Sequence, residues 1–236
     1  MSVLAEIRAA LQSEPRFPIG AEIHLNITDG ALTIAGEVPD VAVKKMLLAR
    51  AAAHPAVSGI IDRLRVAPAS PMGDKEIRDH LCDSLLSEPA LAEIAILERI
   101  VDKLVPLRRP PAARRGMITI TVADGVVTLD GDVPGLAHKR LAGVLAWWVP
   151  GSRDVVNGLG VLPPEEDSDE EIEDAVRLAL EKDPFVNASQ IRVGVSNASV
   201  RLTGTVPTDS ERHMAEFDAW YVFGVNRVEN HITVHA

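Results

Sequence analysis

The chain changes between two hydrophobic periodicities, and it does so in a fixed order that repeats. Apolar residues over 4–11 recur every three to four positions, which is typical of one face of a helix. Residues 23–27 instead alternate between apolar and polar, which is typical of a strand with one buried face. The same order begins again near residues 77 and 172, so the pattern predicts an internal repeat.

A turn and a glycine mark each repeat at a constant spacing. A turn dipeptide ends six residues before a glycine that closes the second strand, and a proline follows three residues after that glycine. Asp-Gly favours a two-residue hairpin turn, and proline is favoured at the start of a helix. The turns are Asp29-Gly30, Asp124-Gly125 and Asn197-Ala198, and the glycines are Gly36, Gly131 and Gly204.

Positions after the glycine repeat as well. At constant offsets from it stand an aliphatic residue, an Asp or Asn, and a final valine, namely Ile60, Val155 and Val228; Asp62, Asn157 and Asn230; and Val66, Val161 and Val234. Such agreement indicates three homologous modules, each with the element order αββαβ. The predicted fold class is therefore α+β, with module one at 1–66, module two at 74–161 and module three at 168–236.

Module two carries an insert at about 87–115, between its first helix and its hairpin. Five residues from Leu91 to Val105 have helical spacing and predict an extra amphipathic helix. A basic loop follows, because prolines interrupt any helix there. Its cations are candidate contacts to a lipid or a partner, and they are Arg108, Arg109, Arg114 and Arg115.

An acidic run over 165–174 leads into module three and contains no basic residue. One interpretation is a solvated linker into a helix N-terminus, where carboxylates are favoured. A calcium loop is a second interpretation, although the glycine and spaced ligands of an EF-hand are missing. A third is a clamp against the basic loop of module two.

The second helix of each module has a predicted buried stripe. It comprises the residues 6, 10, 13 and 17 positions after the glycine, which include Trp148 and Tyr221. Trp147 and Trp220 lie at the edge of this stripe, where they would cover a module interface or meet a partner or lipid. Basic residues 8 and 9 positions after the glycine indicate an exposed helix face or a repeated weak anion site.

Composition and charge limit the classes of partner and the location that the sequence allows. The net charge of −10 and pI near 5.2 argue against a nucleic-acid partner. No apolar run is long enough to span a membrane, and the N-terminal residues predict an amphipathic helix, not a signal peptide. With Cys82 as the single cysteine, a cytoplasmic location is the expectation.

Catalytic and metal motifs are not found in the sequence. Nucleophile-elbow, P-loop, dinucleotide-binding and KH-type motifs are all missing, and the histidines are scattered. The sequence therefore predicts a protein without enzyme activity, catalytic residues, cofactor or metal.

The repeated glycine with its following valine, and a last strand of the form Val-x-x-Val-x-Asn/Asp-x-Leu/Ile-x-Val, resemble the BON domain family (bacterial OsmY and nodulation) in three tandem copies. The resemblance implies a three-stranded mixed sheet covered by two helices in each module. It also implies a non-enzymatic, stress- or envelope-related role, with attachment to phospholipid or protein. The glycines Gly36, Gly131 and Gly204 would be the structural glycines of the family.

Three functions follow as hypotheses. The first is a scaffold that associates peripherally with an anionic phospholipid surface or a protein through its basic loop. The second is a cytoplasmic sensor of an ion such as potassium, or of a small ligand. The third is a self-assembling protein in which the insert forms the contact between copies in a homo-oligomer.

Overall fold

A computed structural model describes residues 2–101, 103–109 and 115–235, which form an α+β structure. Its helices are α1 (Val3–Gln12), α2 (Val41–Ala52), α3 (Asp74–Ser87), α4 (Leu136–Trp147), α5 (Asp169–Lys182) and α6 (Asp209–Tyr221), with short 3-10 helices at Pro89–Leu91 and Ala188–Gln190. Its strands are β1 (His24–Thr28), β2 (Ala31–Val38), β3 (Gly59–Val66), β4 (Ala95–Ile100), β5 (Lys103–Arg108), β6 (Met117–Ala123), β7 (Val126–Val133), β8 (Asp154–Asn157), β9 (Gly160–Val161), β10 (Ile191–Ser196), β11 (Ser199–Val206) and β12 (Arg227–Val234).

The chain divides into two compact units, which we call the N-terminal unit (residues 1–68) and the C-terminal unit (residues 69–236). In the N-terminal unit, β2 pairs antiparallel with β1 and parallel with β3. Asp40 caps α2 by accepting a hydrogen bond from the backbone N–H of Val43 at 2.8 Å. The helices cover one face of the sheet, and the core is built largely from aliphatic side chains such as Leu32, Leu47 and Leu64.

The C-terminal unit contains two sheets. One has three strands in the order β10-β11-β12, with the same mixture of antiparallel and parallel pairing as β1-β2-β3. The other has the order β5-β4-β6-β7-β8, with β9 pairing with β7 as a sixth strand. The prediction of a three-stranded sheet in every module is therefore wrong for module two.

The predicted helix in the insert is also wrong, because residues 95–100 and 103–108 form the two strands of a β-hairpin. Strand β4 pairs antiparallel with β5 and parallel with β6, so the hairpin extends the sheet at that edge. Helical spacing of a few aliphatic residues was coincidental there. Pro106 cannot donate a helical hydrogen bond but is tolerated in β5, which lies at the edge of the sheet. The β-branched residues Ile96, Ile100 and Val105 also favour a strand.

The buried stripe of the second helices lies one position away from the predicted one. Core residues stand 11 and 15 positions after the glycine in all three modules. They are Leu47 and Ala51, Ala142 and Ala146, and Ala215 and Ala219, all buried. Of the predicted stripe in module one, Ala49 and Ala53 are exposed. Alanines on several faces of these helices make the apolar period ambiguous, which explains the shift.

The three repeated glycines lie where the hairpin passes very close to the preceding strand. Their φ angles are 144° at Gly36, 124° at Gly131 and 141° at Gly204, a region that L-residues rarely adopt. A Cβ atom at these positions would come within 2.5, 2.1 and 2.0 Å of the carbonyl oxygens of Glu22, Met117 and Gln190 respectively. Any side chain would therefore collide with backbone that cannot easily move.

The Asp or Asn 26 residues after each glycine ties the last strand to the second helix. In module two, Asn157 Nδ2 donates to the carbonyl of Lys139 at 2.8 Å. In module three, Asn230 Nδ2 donates to the carbonyl of Arg212 at 3.0 Å.

In module one the link between the last strand and the second helix is made differently, because the Asp62 carboxylate has no N–H group to donate. The buried Lys44 supplies it: its Nζ lies 2.9 Å from Asp62 Oδ2 and 2.9 Å from the carbonyl oxygen of Leu64. Lys44 was expected on an exposed helix face or at a weak anion site, and its burial corrects that expectation.

Candidate interaction surfaces

The predicted apolar stripe of α4 faces α5, in the contact between modules two and three. Ala137, Leu141 and Val144 of α4 line a small cavity of about 90 Å³ together with Ala175 and Leu178 of α5. The stripe that was predicted to face the core of module two therefore packs α4 of module two against α5 of module three. The volume holds about three water molecules.

Arg140 is the charged centre of this contact, and its side chain is only 1% exposed. Its Nε donates to the carbonyl of Phe223 at 3.0 Å, and its Nη2 forms an ion pair with Asp167. The neighbouring Lys139 places its Nζ 4.5 Å from the centre of the Phe223 ring. Arg140 and Lys139 were expected on an exposed helix face or at a weak anion site, but both are engaged with module three.

Trp148 links the end of α4 to α6. Its indole Nε1 donates to Asp218 Oδ1 at 2.8 Å, and Asp218 is almost fully buried. Burial raises the pKa of Asp218 to about 8; the hydrogen bond from Trp148 acts in the opposite direction, and the nearby Asp183 carboxyl raises the pKa further. The contact between the two modules therefore holds a carboxyl group that titrates near neutral pH.

The two candidate tryptophans lie in different surroundings. The Trp147 ring stacks on Tyr221 of α6 with 5.6 Å between the ring centres and 9° between the planes. Trp220 is buried. In this structure Trp147 thus contacts the neighbouring module, and little of Trp220 is accessible to a lipid or partner.

A second polar link joins α5 to α3. Lys182 Nζ lies 2.9 Å from Glu88 Oε2 and 3.1 Å from Oε1. Burial of Glu88 opposes its ionisation, but the hydrogen bonds from Lys182 and from the Ala90 N–H lower its pKa overall. The ion pair therefore keeps Glu88 charged next to a groove of about 250 Å³ lined also by Trp148.

The acidic run before module three makes specific contacts. Glu165 Oε2 accepts from the backbone N–H of Leu136 at 2.7 Å and so caps α4, whose own N-cap residue, Gly135, has no side chain to do so. Asp169 accepts from the N–H groups of Asn197 and Ala198 in the module-three turn. Within the described ranges this run therefore contacts the start of α4, Arg140 and the module-three turn, and residues 110–114 of the basic loop lie outside those ranges.

The four arginines of the predicted basic loop have different environments. Arg108 is half-buried and donates to four carbonyls, those of Leu85, Leu86, Leu91 and Ile94, where it closes the C-terminal end of α3. Arg115 is exposed and its Nε lies 2.8 Å from Glu93 Oε2. Arg109 is exposed, and Arg114 lies outside the described residues. Arg108 thus has a structural role instead of the surface role expected of it.

The described residues contain no cluster of three or more His, Cys, Asp or Glu side chains arranged to hold a metal ion. Among the helices in the described ranges, none is both long enough and apolar enough to cross a bilayer. Cys82 is buried, and burial is the main reason that its pKa is raised to about 12, so its thiol is a poor nucleophile.

The BON domain model matches residues 95–163 and residues 168–236, which together are more than half of the chain. This protein belongs to the BON domain family. The two BON matches place their glycine at the same distance from their start, since 131 − 95 and 204 − 168 are equal. The BON family is generally non-catalytic, in agreement with a binding or scaffold role.

The first BON match shows how module two departs from the family. The match at 168–236 begins with a helix, α5, whereas the match at 95–163 begins with the hairpin of β4 and β5. Helix α3 lies before the match and contributes Ile77, Leu81 and Leu85 to the core. The helix that a BON domain needs is therefore present in module two, but the hairpin separates it from β6.

No curated protein sequence matches the chain. Among the solved chains that align with it are two of CdsD, a structural protein of the type III secretion system of Chlamydia trachomatis. At 14% identity they cover 100% of this chain, and 98% and 93% of the CdsD chains, with TM-scores of 0.27 and 0.26. TM-scores this low do not establish a shared fold.

Proposed function

We propose that this protein is a non-enzymatic scaffold of three BON modules that associates peripherally with anionic phospholipid surfaces. Membership of the BON family supports a binding role in place of catalysis. The observation that carries the lipid partner is the concentration of positive charge in residues 95–115. They contain six basic and two acidic residues, while the whole chain has a net charge of −10.

We infer that module one is the third BON copy. Its elements follow the same order as α5-β10-β11-α6-β12, and its sheet has the same pairing. Gly36 meets the carbonyl of Glu22 as Gly204 meets that of Gln190. Asp62 accepts from the N–H of Leu64 as Asn230 accepts from that of Ile232. These shared contacts support a common origin.

The cations available to a lipid surface differ from the predicted set. Arg109 and Arg115 are exposed, and Arg114 lies between them in sequence. Each basic residue close to an anionic membrane contributes about 1 kcal/mol of binding free energy. Three of them would give weak, salt-sensitive and reversible association, as expected for a peripheral protein.

Co-sedimentation with vesicles tests this function. The full chain is mixed with vesicles of phosphatidylcholine alone or with one third phosphatidylglycerol, at low and at high salt. We expect binding only to the anionic vesicles at low salt, and a loss of about tenfold or more in the variant R109Q/R114Q/R115Q.

The variant R177Q/R192Q/R227Q is the control, since it removes the same charge from exposed arginines of module three. Equal loss in both variants would show that only net charge matters. Absence of wild-type binding to anionic vesicles would overturn the proposed function.

A further inference from the structure

The tip of the β4–β5 hairpin exposes a group of aliphatic side chains. Val101 is 84% exposed, Leu104 47% and Ile100 39%. Single exposed aliphatic residues are ordinary on a protein surface, but here three lie within five residues at a hairpin end. Neighbouring residues of the same hairpin nearer its base, such as Ile96, are buried. The apolar character of the tip therefore does not serve the core.

Strand pairing gives each face of the tip one aliphatic and one cationic residue. Ile100 is opposite Lys103, and Arg99 is opposite Leu104. Residues directly opposite each other in a sheet point to the same face. Long cationic side chains can keep their charge in the headgroup region while the aliphatic neighbours enter the apolar layer. Both faces of the hairpin tip thus have the amphipathic arrangement of an interfacial segment.

Val101 is in a backbone conformation that valine rarely adopts. Its φ is 55°, and a β-branched residue in this region is an outlier. The other hairpin turns of this chain place Asp29, Asp124 and Asn197 at nearly the same φ, between 51° and 54°. Asp and Asn tolerate this conformation far better than valine. An aliphatic residue at this turn is therefore costly for folding, which suggests that it serves another purpose.

We propose that the tip formed by Arg99, Ile100, Val101, Lys103 and Leu104 inserts into the interface of an anionic phospholipid bilayer. This inference rests on the proposed function and names the element that contacts the membrane. Charge complementarity selects this occupant, because residues 99–104 have a net charge of +1, from Arg99, Lys103 and Asp102, in a chain whose net charge is −10. The basic segment 109–115 follows the other end of β5, so insertion of the tip can be tested separately from it.

A single fluorescent label on Val101→Cys reports insertion directly. Cys82 is buried and its pKa is raised to about 12, so a maleimide dye at neutral pH reacts with the introduced thiol. Val156→Cys is the matched control, since Val156 is exposed on β8, at the opposite edge of the same sheet. With an environment-sensitive dye and anionic vesicles, we expect a blue shift and at least a doubling of intensity at position 101, and no change at 156.

Variants of the tip give a second measurement. I100S/L104S is expected to reduce partitioning into anionic vesicles at least tenfold, and R99Q/K103Q about threefold or more. Because these side chains are exposed, the thermal unfolding midpoint should stay within about 2 °C of the wild type. A vesicle-binding loss without loss of stability would support insertion of the tip.

Three results would overturn the proposal in distinguishable ways. If the wild type binds anionic vesicles but the label at 101 behaves like that at 156, the tip does not insert and the proposed function stands. If the wild type binds no vesicles, both ideas are wrong. If the emission at 101 shifts with protein concentration in the absence of lipid, the tip is a contact between copies of this chain instead.

Discussion

Helices α2 and α4 occupy the same place in their modules but carry different side chains at their C-terminal ends. Sixteen and seventeen positions after the glycine, the last residue of α2 and the one after it are Ala52 and Ala53, whereas at α4 they are Trp147 and Trp148. The two tryptophans reach Tyr221 and Asp218 of module three. The side chains that join two BON modules are thus ones that the fold of a single module does not require.

The positions that the fold does require are shared by both units. Gly36 and Gly131 approach a carbonyl oxygen in the same way, and Asp62 and Asn157 both link the last strand to the second helix. One set of residues therefore builds each module, and another set assembles modules into a unit. Variants can perturb one set without the other.

The largest expected effect comes from the glycines that both units share. Gly204→Ala forces a Cβ against the Gln190 carbonyl at a φ of 141°, and we expect a loss of at least about 3 kcal/mol in the free energy of unfolding. Gly36→Ala should do the same in the N-terminal unit. Urea unfolding followed by tryptophan fluorescence reports the C-terminal unit, which holds all three tryptophans, and circular dichroism reports both.

Gly194→Ala is the matched control for this pair, because nothing lies within 4 Å of its added Cβ. Its free energy of unfolding should change by less than about 1 kcal/mol. If Gly36→Ala were as harmless as Gly194→Ala, module one would not share the close approach, and its assignment as a BON copy would lose its main support.

Arg140→Ala tests the contact between modules two and three. Loss of the hydrogen bond to Phe223 and of the ion pair with Asp167 should cost about 2–3 kcal/mol in the C-terminal unit. Arg177→Ala removes an exposed pair within α5 and should cost less than about 0.5 kcal/mol. Similar costs for both substitutions would mean that Arg140 adds nothing beyond a surface ion pair.

Asp218 makes the stability of the C-terminal unit depend on pH. Its folded pKa of about 8 lies above the ordinary value of 3.8, so the folded state holds a proton that the unfolded state has lost between these values. Stability from this group is complete below about pH 3.8 and falls as the pH rises toward 8, by at most about 1.4 kcal/mol per pH unit.

Asp218→Asn keeps an oxygen for Trp148 and cannot ionise, so we expect a flatter pH profile and higher stability at pH 8. Thermal unfolding from pH 5 to pH 9, with wild type and variant side by side, measures both. An unchanged slope in the variant would show that another group controls the pH response.

The smallest expected effect is the stacking of Trp147 on Tyr221. A double-mutant cycle with W147A and Y221A should give a coupling free energy of about 1 kcal/mol. W147A combined with F185A is the control cycle, because Phe185 is exposed and should not couple. A coupling near zero in the first cycle would indicate that the rings are stacked without mutual stabilisation.

Local chemistry made the hairpins and their glycines predictable. Asp-Gly turns and a glycine at constant spacing report backbone geometry, which depends on few neighbours. The β4–β5 hairpin was missed because residues between 91 and 105 match a helical period by chance, although Pro106 cannot donate a helical hydrogen bond. Of the contact between modules two and three, the sequence indicated only that Trp147 could cover a module interface, and the charged centre of that contact was missed. Arg140 and Asp167 lie far apart in sequence, and nothing local distinguishes a buried arginine from an exposed one.

The carboxylates at the starts of α3 and α5 hydrogen-bond to the backbone of two hairpin turns, so the amides of these turns report whether each helix is docked on its sheet. Asp74 accepts from the N–H groups of Asp124 and Gly125, as Asp169 does from those of Asn197 and Ala198. These amides are protected from exchange with deuterium while the carboxylates hold them, and they lose this protection when the helix moves away from the turn. Their exchange rates therefore measure how often α3 and α5 detach while the rest of each sheet stays intact.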